Sequence, residues 1–276
     1  MRRVAAALPL LVAIGLIPGT ASAGGWARHA GGVYARAGAA YFDGRAAFLL
    51  PDAPGAPSGT FHSIAAELYG EVGLGRGFEL DLSARWVDNA HELSDGVTRR
   101  SRGPEDAELL LKWSPVHAHN ALAFLIGTRV AMYERLDVGD TLDGTPQRGS
   151  GGVDLLTGVS FGHSFHPTRA WVVVDVLHRL RFGGPSSGVL TRAEAGWMFA
   201  PPLGGALLFE IQPAFGRDLD QRADAPAPVP KILSFGAKLF LELPEGFGLA
   251  ADAFWLPDVL NDGPGFRVAA GVTYQR

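Results

Sequence analysis

The feature that most constrains this chain is the alternation between residues 64 and 86, IAAELYGEVGLGRGFELDLSARW. Ile64, Ala66, Leu68, Gly70 and Val72 alternate with Ala65, Glu67, Tyr69 and Glu71. Past a glycine-rich turn at 73–77, Phe78, Leu80, Leu82, Ala84 and Trp86 alternate with Glu79, Asp81, Ser83 and Arg85. Period two on both sides of a short turn predicts an antiparallel hairpin with one apolar and one charged face. The apolar face carries no charge, and each arm is about as long as a strand that crosses a bilayer at a tilt. The pattern recurs to the end of the chain. The predicted fold class is therefore all-β: a transmembrane antiparallel up-and-down β-barrel of about 12 strands.

The predicted strands are 33–41, 64–72, 78–86, 106–113, 122–133, 153–161, 171–182, 189–199, 206–215, 232–241, 247–255 and 265–275. Short connections (73–77, 114–120, 163–169, 200–205, 244–246) alternate in strict order with longer Gly-, Pro- and Asp-rich ones (43–60, 87–105, 134–152, 183–188, 217–231, 257–264). Periplasmic turns at one end and extracellular loops at the other give this segregation, with both termini in the periplasm. Aromatics expected on the lipid face fall into two belts. Tyr41, Trp86, Phe182, Phe215, Trp255 and Phe266 mark the extracellular rim. Phe78, Trp113, Phe161, Trp197, Phe199, Phe247 and Tyr274 mark the periplasmic one.

Composition agrees with such a barrel. Hydrophobic residues make up 47% of the chain and charged residues 19%, below the roughly 25% of ordinary soluble domains. An apolar exterior with charges withdrawn inside accounts for both. Residues 1–23 read as an export signal: Arg2 and Arg3, an apolar run, then Ala21-Ser22-Ala23 as the cleavage site. Residues 24–276 then form the barrel domain. Without Arg2 and Arg3 the chain carries 22 basic and 28 acidic side chains, which argues against a nucleic-acid partner. It contains no cysteine, so disulfides and thiol-linked lipid are excluded.

The interior is the candidate site. Facing inward are the acids Glu67, Glu71, Glu79, Asp81, Asp106, Glu108, Asp154, Asp175, Glu194, Glu210, Glu242 and Asp252. The inward bases are Arg36, Arg85, Lys112, Arg129, Arg179, Arg181, Arg192, Lys238 and Arg267. Mixed signs in a narrow tube favour ion pairing over a wide aqueous pore. With the hairpin turn centred on Gly75, Glu71 faces Glu79, and Arg36 and Lys112 lie at the right height to neutralise them. Residues Tyr133, Leu136 and Leu142 are candidates for a hydrophobic entrance.

Other chemistry finds less support. His178 is the one histidine placed on the lipid face, with Thr191 nearby but no serine beside it, so a lipid hydrolase lacks its nucleophile. The pairs His117/His119 and His163/His166 sit in short turns without cysteine or carboxylate, and neither a metal nor another cofactor is expected. Gly73, Gly75 and Gly77 belong to a hairpin and precede no helix, which rules out a nucleotide loop.

The opening Gly24-Gly25-Trp26-Ala27-Arg28 resembles the Gly-Ala-Trp start of XagA-like outer-membrane proteins. These are grouped with transporters named for the meta-cleavage pathway of phenol degradation. The segment from Leu68 to Leu74 is similar to that family's hairpin, and Glu105-Asp106-Ala107-Glu108-Leu109 to its Gly-Asp-x-Glu-Leu segment, with Glu105 in place of the glycine. The resemblance implies a passive outer-membrane transporter of small hydrophobic or aromatic solutes, partnered by outer-membrane lipid and by the barrel-assembly machinery. The ending Tyr274-Gln275-Arg276 departs from the terminal aromatic that this machinery reads in many barrels. The alternative is a structural or interaction barrel that presents its extracellular loops.

Overall fold

The computed structural model describes residues 25–45, 59–134, 145–146, 148–149, 152–182, 187–212, 232–257 and 264–276. The export signal, Leu136, Leu142, Phe215 and most of the long connections lie outside the described residues. Within them the elements are β1 (Val33–Arg45), β2 (Gly59–Gly75), β3 (Phe78–Leu93), β4 (Thr98–Pro104), β5 (Asp106–His117), β6 (Asn120–Ala131) and β7 (Val153–Ser164). There follow β8 (Ala170–Phe182), β9 (Gly188–Ala200), β10 (Leu203–Gln212), β11 (Ile232–Glu242), a 3₁₀ turn at Pro244–Gly246, β12 (Phe247–Leu256) and β13 (Gly265–Gln275).

Apart from β4 and β5, every strand pairs antiparallel with its sequence neighbours, and β1 pairs with both β2 and β13, so the sheet closes on itself. β4 and β5 both pair with β3, one beyond the other along its length, and meet at Glu105. They are one stave, which makes a closed barrel of twelve. The β3–β4 arm occupies part of what the sequence presents as a loop at 87–105. The alternation does continue there, with Val87, Asn89 and His91 buried, but polar side chains on the other face hide the period.

Closure fixes two faces. Outward are the apolar sets, such as Leu68 at 61% exposure and Leu82 at 54%. An apolar band this continuous needs a covering medium, and no helix among the described residues is long and apolar enough to cross a membrane. The rim aromatics follow the two belts, with Phe182 and Trp255 exposed at the long-connection end and Trp113 and Phe247 at the other. Phe78, Trp113 and Phe124 stack in series across β3, β5 and β6, with centroids 6.0 and 5.7 Å apart.

The first hairpin departs from the symmetric turn. Arg76 and Gly77 take positive φ (54° and 80°), which makes a two-residue turn between Gly75 and Phe78. A bulge between Gly73 and Gly75 then restores the alternation. Glu71 consequently faces Asp81, and Glu79 faces Gly73, not Glu71.

Candidate functional site

The inward charges form four groups. From the β4–β5 junction through β3, β2, β13 and β12 to β1 runs an alternating chain. Arg85 binds Glu105 (2.9 Å) and Glu67 (3.0 Å), Arg267 bridges Glu67 (2.7 Å) and Asp252 (2.8 Å), and Asp252 also holds Arg36 (2.5 Å). The expected Arg36–Glu71 contact is therefore replaced. Asp252 stands on β12 across β13 from Arg36, whereas Glu71 lies two positions further along β2 than the residue Arg36 faces, Tyr69.

On β5 to β8, Arg129 binds Glu108 (2.6 Å), and Asp154 takes two hydrogen bonds from Arg181 (2.7 and 2.8 Å) with Arg179 at 3.8 Å. Asp106 lies at the head of this group on β5, facing Ala131 of β6. On β7 to β11, Arg192 meets Glu210 (3.2 Å), Lys238 meets Glu194 (3.4 Å), and Ser160 donates to Asp175. Glu242 sits apart near the short-turn end of β11, its backbone N–H donating to the Pro202 carbonyl (2.9 Å).

The fourth group lies at the short-turn end. Lys112 Nζ reaches Glu79 (2.5 Å) and Asp81 (3.6 Å), with Glu79 fully buried. The cation for Glu71 is Arg28, from residues that precede β1: its Nε donates to Glu71 (2.6 Å) and its backbone N–H to Glu79 (2.7 Å). Residues 25–32 form a strap along the inner wall. The Gly25 carbonyl accepts from Ser114 Oγ on β5 (3.0 Å), and Trp26 donates to the Ala118 carbonyl (2.9 Å). Gly31 N–H donates to Gly73 on β2, and Gly73 N–H donates back to Gly32, both at 2.8 Å. Two wall glycines make room for it. A Cβ on Gly73 would lie 2.0 Å from the His29 carbonyl oxygen, and one on Gly162 of β7 would lie 2.5 Å from the Trp26 ring. Alternation does not reveal the strap, because 25–32 has none.

Alternation also gave no roles to the inward aromatics. Trp171, Phe240, Phe254 and Phe42 each lie over a glycine of an adjoining strand: Gly196, Gly204, Gly236 and Gly265. Trp171 and Phe240 approach to 6.0 Å, and Phe42 and Phe61 to 5.8 Å. The wall of β8, β9, β10 and β12 holds a cavity of about 170 Å³ beside Phe254. Its lining mixes Val173, Leu208 and Phe254 with Asp175, Arg192, Glu194 and Glu210. Five leucines, Leu110, Leu125, Leu156, Leu177 and Leu190, fill the interior on β5 to β9.

The histidines are arranged otherwise than expected. His178 is exposed on the outer face opposite Thr157 and Val189, but His62 of β2 also points outward, where it meets Asp43 (3.0 Å). His119 and His166 stack at 5.5 Å, and His163 contacts Asn120 (2.7 Å). Among the described residues no three potential ligands converge on one metal position. Tyr133 carries the Arg148 guanidinium over its ring at 4.8 Å.

No family model matches the chain, and no curated protein matches it. Solved structures do. An outer membrane channel from Pseudomonas putida F1 superposes with a TM-score of 0.63 at 12% identity, over 95% of this chain and 100% of that one. The transport unit of the autotransporter AIDA-I from Escherichia coli gives 0.54 at 10% identity, over 98% and 96%. The translocator domain of the autotransporter NalP from Neisseria meningitidis gives 0.50 at 10%, over 99% and 93%. The fold is that of outer-membrane barrels.

Proposed function

We propose that this chain is a passive outer-membrane channel for small solutes, its short turns in the periplasm and its long connections outside. The observation that carries the reading is the interior. Its charges are largely neutralised in pairs on the wall, and a cavity of about 170 Å³ lies beside them. A barrel that served only to carry loops would gain nothing from leaving that space open. The resemblance to XagA-like proteins points the same way, toward solutes with hydrophobic or aromatic parts. Outer-membrane lipid covers the apolar band, and the assembly machinery inserts the barrel by way of its apolar last strand, Phe266, Val268, Ala270, Val272 and Tyr274.

Swelling of liposomes that contain the purified, folded protein tests the proposal. Small polar solutes should enter faster than into protein-free liposomes, and the rate should fall steeply with solute size. Rates equal to those of protein-free liposomes would overturn the channel and favour the loop-presenting barrel.

A further inference from the structure

The outer wall changes character at the long-connection end of β1 to β4. At that end β7, β8, β11 and β12 turn Val153, Phe182, Phe235 and Trp255 outward, all of them exposed. The outward positions of β1 to β4 just beyond Tyr41 and Trp86 are instead Asp43, His62, Asp88, Glu92, Arg100 and Arg102.

The register sets these side chains in two rows. Tyr41, Ile64, Asp88 and Arg102 face one another across β1 to β4, and beyond them Asp43, His62, Ala90 and Arg100 do the same. Arg100 and Arg102 stand two positions apart on one face of β4, about 7 Å along the strand, and both are exposed. The Arg102 guanidinium lies 4.7 Å from the centre of the Trp86 ring, and Asp88 is 3.9 Å from its Nε, beyond hydrogen-bond reach. Arg100 makes no ion pair among the described residues. Two strands away, about 10 Å across the sheet, Asp43 (3.0 Å) and the Tyr41 hydroxyl (3.2 Å) hold the His62 ring by Nδ1. Between His62 and Arg100 the row has only the small side chain of Ala90. The result is a shallow saddle, cationic along β4 and floored by Ala90.

An outward arginine is costly at the middle of a bilayer and costs little at its edge. Contact with Trp86 keeps the Arg102 guanidinium at the level of the aromatic rim, where the phosphates of lipid headgroups lie. We propose that the saddle binds the phosphorylated glycolipid of the outer leaflet, lipid A. One of its phosphates accepts from Arg100 and Arg102, whose planar forks suit phosphate oxygens, and the sugar beside it lies over Ala90 toward His62 and Tyr41. Glu92, opposite Thr98 and a row further out, bounds the site by repelling a second anion. The inference takes from the channel reading only its orientation and is separate from the passage of solutes.

Native mass spectrometry of the protein folded in detergent tests it, with bisphosphorylated lipid A, fully dephosphorylated lipid A and phosphatidylglycerol as probes. Bisphosphorylated lipid A should bind most tightly. Arg100→Gln and Arg102→Gln should each weaken it by at least about fivefold. Arg76→Gln, at the turn between β2 and β3 at the opposite end, should leave it unchanged. Heat-modified migration on gels confirms that each variant is folded. Equal binding of the dephosphorylated lipid, or a double arginine variant that binds as the wild type does, overturns the site. Phosphatidylglycerol bound as tightly as lipid A makes the saddle a general anionic-lipid surface and overturns the glycolipid. Binding in detergent needs no orientation and no conduction, so a negative result counts against the site and leaves the channel standing.

Discussion

At the scale of single residues the most consequential position is Lys112. It is almost fully buried and serves two carboxylates, Glu79 and Asp81, on the neighbouring strand. Removing one partner of such a group leaves uncompensated charge away from water. Lys112→Met should therefore cost about 3–5 kcal/mol in a urea titration of bilayer-folded protein. Adding Glu79→Gln to it should recover part of the loss, whereas additive penalties would show that the three groups are not coupled. Residue identity at this site was readable beforehand, and pairing only in part. Lys112 meets Glu79 because β5 and β3 are in simple register. Arg36 misses Glu71 because the register of β1 on β2 sets it against Tyr69. What puts Glu71 opposite Asp81 is a bulge at 73–75 and a two-residue turn, matters of backbone dihedral angle that leave no trace in a string of glycines.

At the scale of elements the strap is the part that can be varied without rebuilding the wall. Arg28→Ala removes its grip on Glu71, and Gly162→Val pushes a Cβ into the Trp26 ring. Both should raise single-channel conductance in planar bilayers by widening the short-turn mouth. Unchanged conductance in both would show that the strap lies clear of the path. The β3–β4 arm makes the complementary case. Its pairing was hidden by polar residues, yet inward Val87, Asn89 and His91 keep strand period up to the limit of the ladder. Epitopes placed at 134–152 should be reached by antibody on intact cells, while those at 114–120 should not. The opposite labelling would invert the orientation.

For the whole molecule the decisive property is which face meets lipid. Leu82→Arg, Ile126→Arg or Val174→Arg places a charge in the outer band and should cost about 2–4 kcal/mol of folding stability in a bilayer. Ser83→Arg, on the inner face, should cost less. Four equal penalties would refute the facing. This level was the most legible in sequence, because a period of two gives every residue of a strand its face once one is known. What period cannot supply is lateral reach. Phe254 was assignable to the interior by count, but not its place over Gly236 on the next strand, since that depends on which glycine the register sets beside it.

The strap also carries a kinetic consequence. Gly25 and Trp26 precede every strand, yet their partners are Ser114, Ala118 and Gly162, on or beside β5 and β7. Contacts separated by some ninety residues form late, because the chain between them must first be ordered. The residues synthesised ahead of the barrel are thus among the last to settle, and they settle from inside a wall already half built. In the proposed orientation, a barrel that stalls before β7 pairs would leave its leading end loose in the periplasm, where proteases of the envelope would cut it. Arrested and finished molecules would then differ in length, and the strap would record which chains had completed assembly.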